Sequence, residues 1–325
     1  MLARPDSSVI PGPAAASAAR FPAWARAKNP PETEAEAGFL AGAALARLDA
    51  IVRENPPWAG VWRQRLALQA AAASVRRAGR SEDEAALRDA LHLTRSGADP
   101  GPAGRRLLAS RALAAGSAGQ WRSAIVVAAG ALDLPRDDAL QAAIEAAEAG
   151  VASPRPAPFA AARAHERARR ALTPAAGRAG AGESELLAAW LADSVLAQKL
   201  NWRFALPLLA APLFASAGRR ATTDAGHGPE TARVLFAYAK AAAHACDLAA
   251  ELRRRAQTLA EAAPKLRAKG AKAALQALFD QDSLAAATPI AGLSERGTRR
   301  LFERLSALGA IRELTGRAAF RLYGL

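Results

Sequence analysis

The stretch LSERGTRRLFERLSALGAIRELTGRAAFRLYGL, Leu293 to Leu325, reads unlike anything before it. Ser294 is a good N-cap, and Thr298, Leu301, Leu305 and Leu308 then recur on one face of a helix that Gly309 closes at its C′ position. Phe302 lies at the edge of that face. Arg296, Arg299, Arg300 and Glu303 point the other way, flanked by Arg304. Two extended runs, AIREL and AAFRLYGL, follow around Thr315-Gly316, where Gly316 supplies the positive φ of a tight hairpin turn. Phe320 and Leu322 alternate with Arg321 and Tyr323, which predicts one buried and one solvated face. Upstream, APKLRAKGAKAALQALFDQD predicts a helix over 264–280, and SLAAATPIAG is a short segment containing Pro289 and Gly292. Helix, short segment, basic helix and hairpin is the order of a winged helix-turn-helix, with the hairpin as the wing. SLAAATPIAG carries few helix signals where the first helix of that motif is expected.

This pattern predicts double-stranded DNA as a partner. A helix fits the major groove, where arginine reads guanine through two hydrogen bonds. Arg317 at the wing tip and Arg321 on its solvated face suit phosphate or minor-groove contacts, and Ser294 and Thr298 can donate to phosphates or bases. The expected DNA-binding set is therefore Ser294, Arg296, Thr298, Arg299, Arg300, Arg304, Arg317 and Arg321. The competing reading makes the tail a packing or dimer module, because fold does not fix function. The two readings differ in whether Arg296, Arg299, Arg300 and Arg317 lie on open surface or against the body.

Outside the tail, composition points to helices. The chain has 325 residues, 51% of them apolar but many of these alanine, and 5% aromatic. Alanine buries little area, so the core must rest on leucines and on aromatics such as Trp58, Trp62, Trp190 and Trp202. Strand formers are scarce before the last fifteen residues. The expected fold is mainly α: a disordered Ala/Pro-rich segment at 1–20, a multi-helix body at 21–262 with a subdivision near 150–158, and a small winged-helix domain at 263–325. The net charge of +14 invites a polyanion, although six lysines among 44 basic residues is what GC-rich coding produces unselected. Position says more than the total. Residues 251–325 carry 14 basic against 7 acidic residues, half of the excess, and Arg253, Arg254 and Arg255, followed by Lys265, Arg267, Lys269 and Lys272, form a candidate phosphate-contacting shoulder there. The single Cys246 excludes an internal disulfide and reads as a small buried thiol. The apolar stretches are too short to span a membrane and the N-terminus has no apolar signal core, so a cytoplasmic protein is expected.

Along the body, helices are expected from about Glu32 to Asn55, with a stripe of Phe39, Leu40, Ala43, Leu45 and Leu48, and from Trp58 to a stop at Gly79, with Trp58, Trp62, Leu66 and Ala70 on one face. Ser81 and Glu84 suggest a capping box for a third helix, and SGADPGPAGRR reads as a loop. Helices resume at 107–115, 120–132 and 137–149. After VASPRPAPF, one runs from Phe159 to Pro174, SELLAAWLADSVLAQKLNW is strongly amphipathic, and a long helix spans Glu230 to Ala262.

Chemistry-bearing motifs are missing. The sequence contains no GxxxxGK[ST], no GxGxxG after a strand and no GxSxG. One Cys with His92, His165, His227 and His244 cannot form a structural zinc site. His244 and Asp247, at i and i+3, read as a polar pair, and Asp83, Glu84 and Asp89 as caps and surface charge. No cofactor and no catalytic activity are expected. The tail resembles the winged helix that ends many bacterial Fic-family proteins, through Leu308, Gly309, Arg312, Glu313, Thr315, Gly316 and Arg317. The catalytic His-Pro-Phe…Gly-Asn-Gly-Arg loop of that family is not present, and ASVRRAG at 73–79 resembles its inhibitory helix with Ala78 in place of Glu. Most of the chain resembles an uncharacterised bacterial helical family, domain of unknown function 1403. That likeness rests on PPWAGVWRQRLAL (56–68), EDEAALRDALHLTRSGADPGPAGR (82–105), WLADSVLAQKLNW (190–202), APKLRAKGA (263–271) and the tail. It implies no known activity. Two functions lead: a DNA-binding regulator or mobile-element accessory factor whose body oligomerises or senses a ligand, and a degenerate Fic-like scaffold that binds a protein or small molecule. A third, an enzyme without a recognised motif, would need a pocket of converging His, Asp and Arg side chains that no spacing signals.

Overall fold

The computed structural model describes residues 21–95, 97–176, 181–217, 230–266, 270–316 and 320–325; the segment at 1–20 and Arg317 lie outside them. Twelve α-helices occur among these residues: α1 (Glu34–Glu54), α2 (Ala59–Arg77), α3 (Glu84–Leu93), α4 (Gly101–Ala115), α5 (Trp121–Ala131), α6 (Asp138–Ala152), α7 (Ala157–Ala176), α8 (Ala181–Lys199), α9 (Ala210–Ala217), α10 (Glu230–Ala262), α11 (Ala271–Asp280) and α12 (Glu295–Ala307). The strands are β1 (Leu284–Ala285), β2 (Arg312–Glu313) and β3 (Leu322–Gly324), joined in one antiparallel sheet of order β1-β3-β2. The fold is mainly α, as expected.

α8 is the centre of the molecule. Every residue from Leu186 to Ala197 is buried, Asp193 and Ser194 included, so the helix is covered all round and the amphipathic expectation fails. α6 and α7 pack on it and α7 also meets α10, while α1 lies along α10 and α2 packs on α4 and α9. Alanine makes these approaches close. On α1 the buried face is Ala37, Ala41, Ala44, Leu45, Leu48 and Ile51, whereas Phe39 is 63% exposed and stacks on exposed Trp24, with ring centroids 6.0 Å apart. The expected stripe was thus turned by small residues, which let the long helices approach where a phenylalanine would hold them apart. Trp58, Trp62, Leu66 and Ala70 are all buried, and the Trp62 indole N–H donates to the Ala245 carbonyl at 3.0 Å.

Several helix starts differ from expectation for local reasons. Asp83, not Ser81, caps α3, accepting from the Ala86 N–H at 2.8 Å. α4 begins inside the expected loop because Pro102 is tolerated in a first turn. α7 starts at Ala157 and continues to Ala176, past Pro174. Thr33 and Asp137 cap α1 and α6. Cys246 is buried, and burial pushes its thiol up to about 12.

In the tail, Ser294 caps α12 by accepting from the Gly297 N–H at 3.1 Å, and Gly309 (φ +68°) and Gly316 (φ +62°) hold the expected left-handed positions. SLAAATPIAG forms β1 and two turns and contains no helix. β1 pairs Leu284 with Tyr323, and β2 pairs Arg312 with Gly324. Tyr323 of the middle strand β3, expected on a solvated face, is buried because α12 covers that face, its ring centroid 5.4 Å from that of Phe302.

Candidate nucleic-acid interface

α12 divides its residues as its spacing dictates. Thr298, Leu301, Phe302 and Leu305 are buried, while Arg296, Arg299, Arg300, Glu303 and Arg304 are exposed. Leu308, assigned to the packing face, is 41% exposed past the last turn. Arg296, Arg300 and Arg304 recur every four residues and so form a row spanning about 12 Å. Arg299 lies beside the row with its Nη2 3.4 Å from Glu295, a solvated i,i+4 pair of little energetic weight. Arg321 is exposed at the hairpin, its Nε 3.8 Å from Glu313 on β2.

Of the expected contact residues, the structure brings Arg296, Arg299, Arg300 and Arg304 to one open face and Arg321 to the adjoining sheet. Thr298 is 0% exposed with its hydroxyl buried, so it is a packing residue and cannot touch a groove. Ser294 is exposed, but its hydroxyl is engaged in the cap. In the expected shoulder Arg253 pairs with Glu54 at 2.8 Å and Arg255 with Glu251 at 2.8 Å, Arg254 and Lys272 are exposed, and Arg267 and Lys269 lie outside the described residues.

What holds this face in position is a buried charge cluster that sequence reasoning missed. The Arg65 Nε of α2 donates to Asp282 Oδ1 at 2.7 Å, and the Arg88 Nε of α3 donates to Oδ2 at 2.6 Å while its Nη2 donates to Oδ1 at 3.0 Å. Arg111 of α4 lies 3.6 Å from the same carboxylate. Asp282 sits between α11 and β1 with a fully buried side chain. Burial alone would raise its pKa, but the Arg88 hydrogen bonds and the charges of Arg65, Arg88 and Arg111 outweigh that and hold it at about 2. Arg65 Nη2 also donates to the Leu325 carbonyl at 3.1 Å, and His92 Nε2 lies 3.0 Å from Ser283 Oγ. Three body helices thus grip one end of the small sheet, where Asp282, ahead of β1, and Leu325, after β3, lie side by side. A signal was present: Arg65 falls between Trp62 and Leu66 on an apolar face, where a charge needs a partner.

The polar pairs of the body are separately engaged. His244 Nε2 lies 2.9 Å from Gln69 Oε1, whereas Asp247 takes two hydrogen bonds from Arg26. Among the described residues no group of three or more His, Cys, Asp or Glu is placed to hold a metal, and no helix is long and apolar enough to cross a membrane.

A family model described as "Protein of unknown function (DUF1403)" matches residues 14–325. The chain belongs to the DUF1403 family. The DUF1403 match runs through body and tail alike, including both halves of the Asp282 cluster. No curated protein matches the chain.

Proposed function

We propose that this DUF1403 protein is a non-enzymatic, cytoplasmic DNA-binding protein, a transcriptional regulator or mobile-element accessory factor. Its C-terminal winged helix, similar to that of Fic-family proteins, meets the duplex, and its helical body oligomerises or senses a ligand. The observation that carries this reading is the outward face of α12, where four arginines stand exposed on a helix whose opposite face is buried. A row of guanidiniums suits the phosphate backbone, which supplies most of the affinity of such contacts. Because a turn replaces the first helix of the motif, phosphate contact by the α12 row contributes more than deep groove insertion.

The test is anisotropy of a labelled random duplex with full-length variants. Arg299→Ala and Arg300→Ala are each expected to weaken binding by about 1 kcal/mol or more. Wild-type affinity in both, with folding intact, would remove α12 from the interface. A second reading, the tail as a packing module of a non-catalytic scaffold, is favoured by the burial of Asp282 and Leu325. It predicts no duplex binding by the folded wild-type chain.

A further inference from the structure

The body has a concave, arginine-rimmed surface that the tail does not use. α6 and α7 meet across small residues: a Cβ added at Gly150 would lie 3.1 Å from Ala164 Cβ and 3.2 Å from Val195 of α8. This close crossing leaves a groove of about 360 Å³, floored by Ala146, Ala149, Gly150, Ala160 and Ala164. That volume falls in the range of small-molecule sites. Its rim is Arg155, Arg163, Arg167 and Arg170, with Glu166 the one carboxylate among its lining residues. The three α7 arginines fall at i, i+4 and i+7, so they share one side of the helix. Glu166 pairs with Arg163 at 3.5 Å and with Arg170 at 2.5 Å, solvated pairs within one helix that offset part of the positive charge there. Among the described residues Arg155 and Arg167 have no carboxylate partner.

Four guanidiniums around one carboxylate leave a positive excess over an apolar floor of alanine and glycine. A solvated arginine face needs no such floor, and an apolar pocket needs no such rim. We infer that this groove binds a small phosphorylated molecule, its diphosphate gripped by Arg155 and Arg167 and its flat apolar portion lying on the alanine floor. Guanidinium forks match phosphate oxygens in pairs.

The test is isothermal titration of the full chain with ADP, pyrophosphate and adenosine as probes. ADP should bind with one site and pyrophosphate more weakly, while adenosine alone should not bind. Arg155→Ala combined with Arg167→Ala is expected to weaken ADP binding roughly tenfold or more. Ala149→Phe keeps every charge but fills the exposed floor, and should abolish ADP binding with the melting temperature unchanged. Arg299→Ala combined with Arg300→Ala should leave ADP binding at the wild-type level, which separates this groove from the α12 face. The inference is overturned if the wild-type chain binds no ADP, if the Arg155/Arg167 variant binds it normally, or if Ala149→Phe has no effect. A duplex that binds through Arg155 and Arg167 while ADP does not would also overturn it.

Discussion

Asp282 accepts from two arginines with a third nearby, and all of this happens out of water. Removing one partner of a buried ionic cluster leaves the others uncompensated, so Asp282→Asn is expected to cost about 3–5 kcal/mol in urea denaturation. With a folded pKa near 2 against an ordinary 3.8, Asp282 contributes stability that is complete above pH 4 and lost as pH falls towards 2. Asp193 has the opposite sign. It is buried in α8, and desolvation lifts it to about 8 even though its Oδ2 accepts from the Leu208 N–H at 2.8 Å and the Leu209 N–H at 3.2 Å. The folded state therefore holds a proton that the unfolded state releases above pH 4, and stability falls between pH 4 and 8. Asp193→Asn keeps an acceptor for the amides and should flatten that fall. The expected gain over wild type grows with pH by at most about 1.4 kcal/mol per unit, and is read from denaturation midpoints at pH 5 and 7.5. The two acids differ in how far they were legible. Arg65 announced a need for a counter-charge, but its partner lies 217 residues away, and no local pattern names a partner at that distance. Asp193 was hidden because the helix around it was read as one-sided.

At the scale of elements, α12 was legible down to its cap, because Ser294, the Leu301/Leu305 spacing and Gly309 all act within a few turns. β3 was only half legible. Strand alternation assigns faces on the assumption that one side meets water, whereas β3 is covered on both faces, Leu322 and Tyr323 alike being buried and Tyr323 lying against Phe302. The missing first helix of the motif follows from Pro289, Gly292 and the pairing of Leu284 with Tyr323, which draws the segment into the sheet. The join between tail and body is a close backbone contact: a Cβ at Gly60 of α2 would sit 2.7 Å from Asp280 Cα and 3.0 Å from the Phe279 carbonyl at the end of α11. Gly60→Ala therefore wedges α11 away from α2. A loss of about 1–3 kcal/mol is expected by thermal or urea denaturation, together with faster hydrogen exchange in the strand containing Leu322 and Tyr323. Unchanged exchange there would mean that α11 and the sheet are not positioned through α2.

Among the described residues the larger of two hydrophobic cores runs from Phe21 to Leu325, taking in Leu284, Leu301, Phe302, Leu305 and Tyr323 of the tail, and the smaller joins α2, α3 and α4 through Leu68, Leu87 and Leu107. The tail is bound into the body by apolar contact and by the Asp282 cluster, so its outward face is held at a fixed orientation to α2, α3 and α4. Cutting the chain after Ala262 would expose that core and leave Arg65, Arg88 and Arg111 without Asp282, so loss of binding on truncation would report loss of fold. Charge removal on the intact chain is the cleaner probe. The central claim is that the exposed arginines of α12 neutralise DNA phosphates, and it is tested most directly by the salt dependence of duplex binding for the full-length chain and an Arg296→Ala/Arg299→Ala/Arg300→Ala variant. Each lost phosphate contact lowers the slope of log K against log salt by roughly 0.9, so the variant slope should be shallower by about 2 to 3. Equal slopes in two equally folded proteins would contradict the account and leave the tail as a structural cover for the helical body.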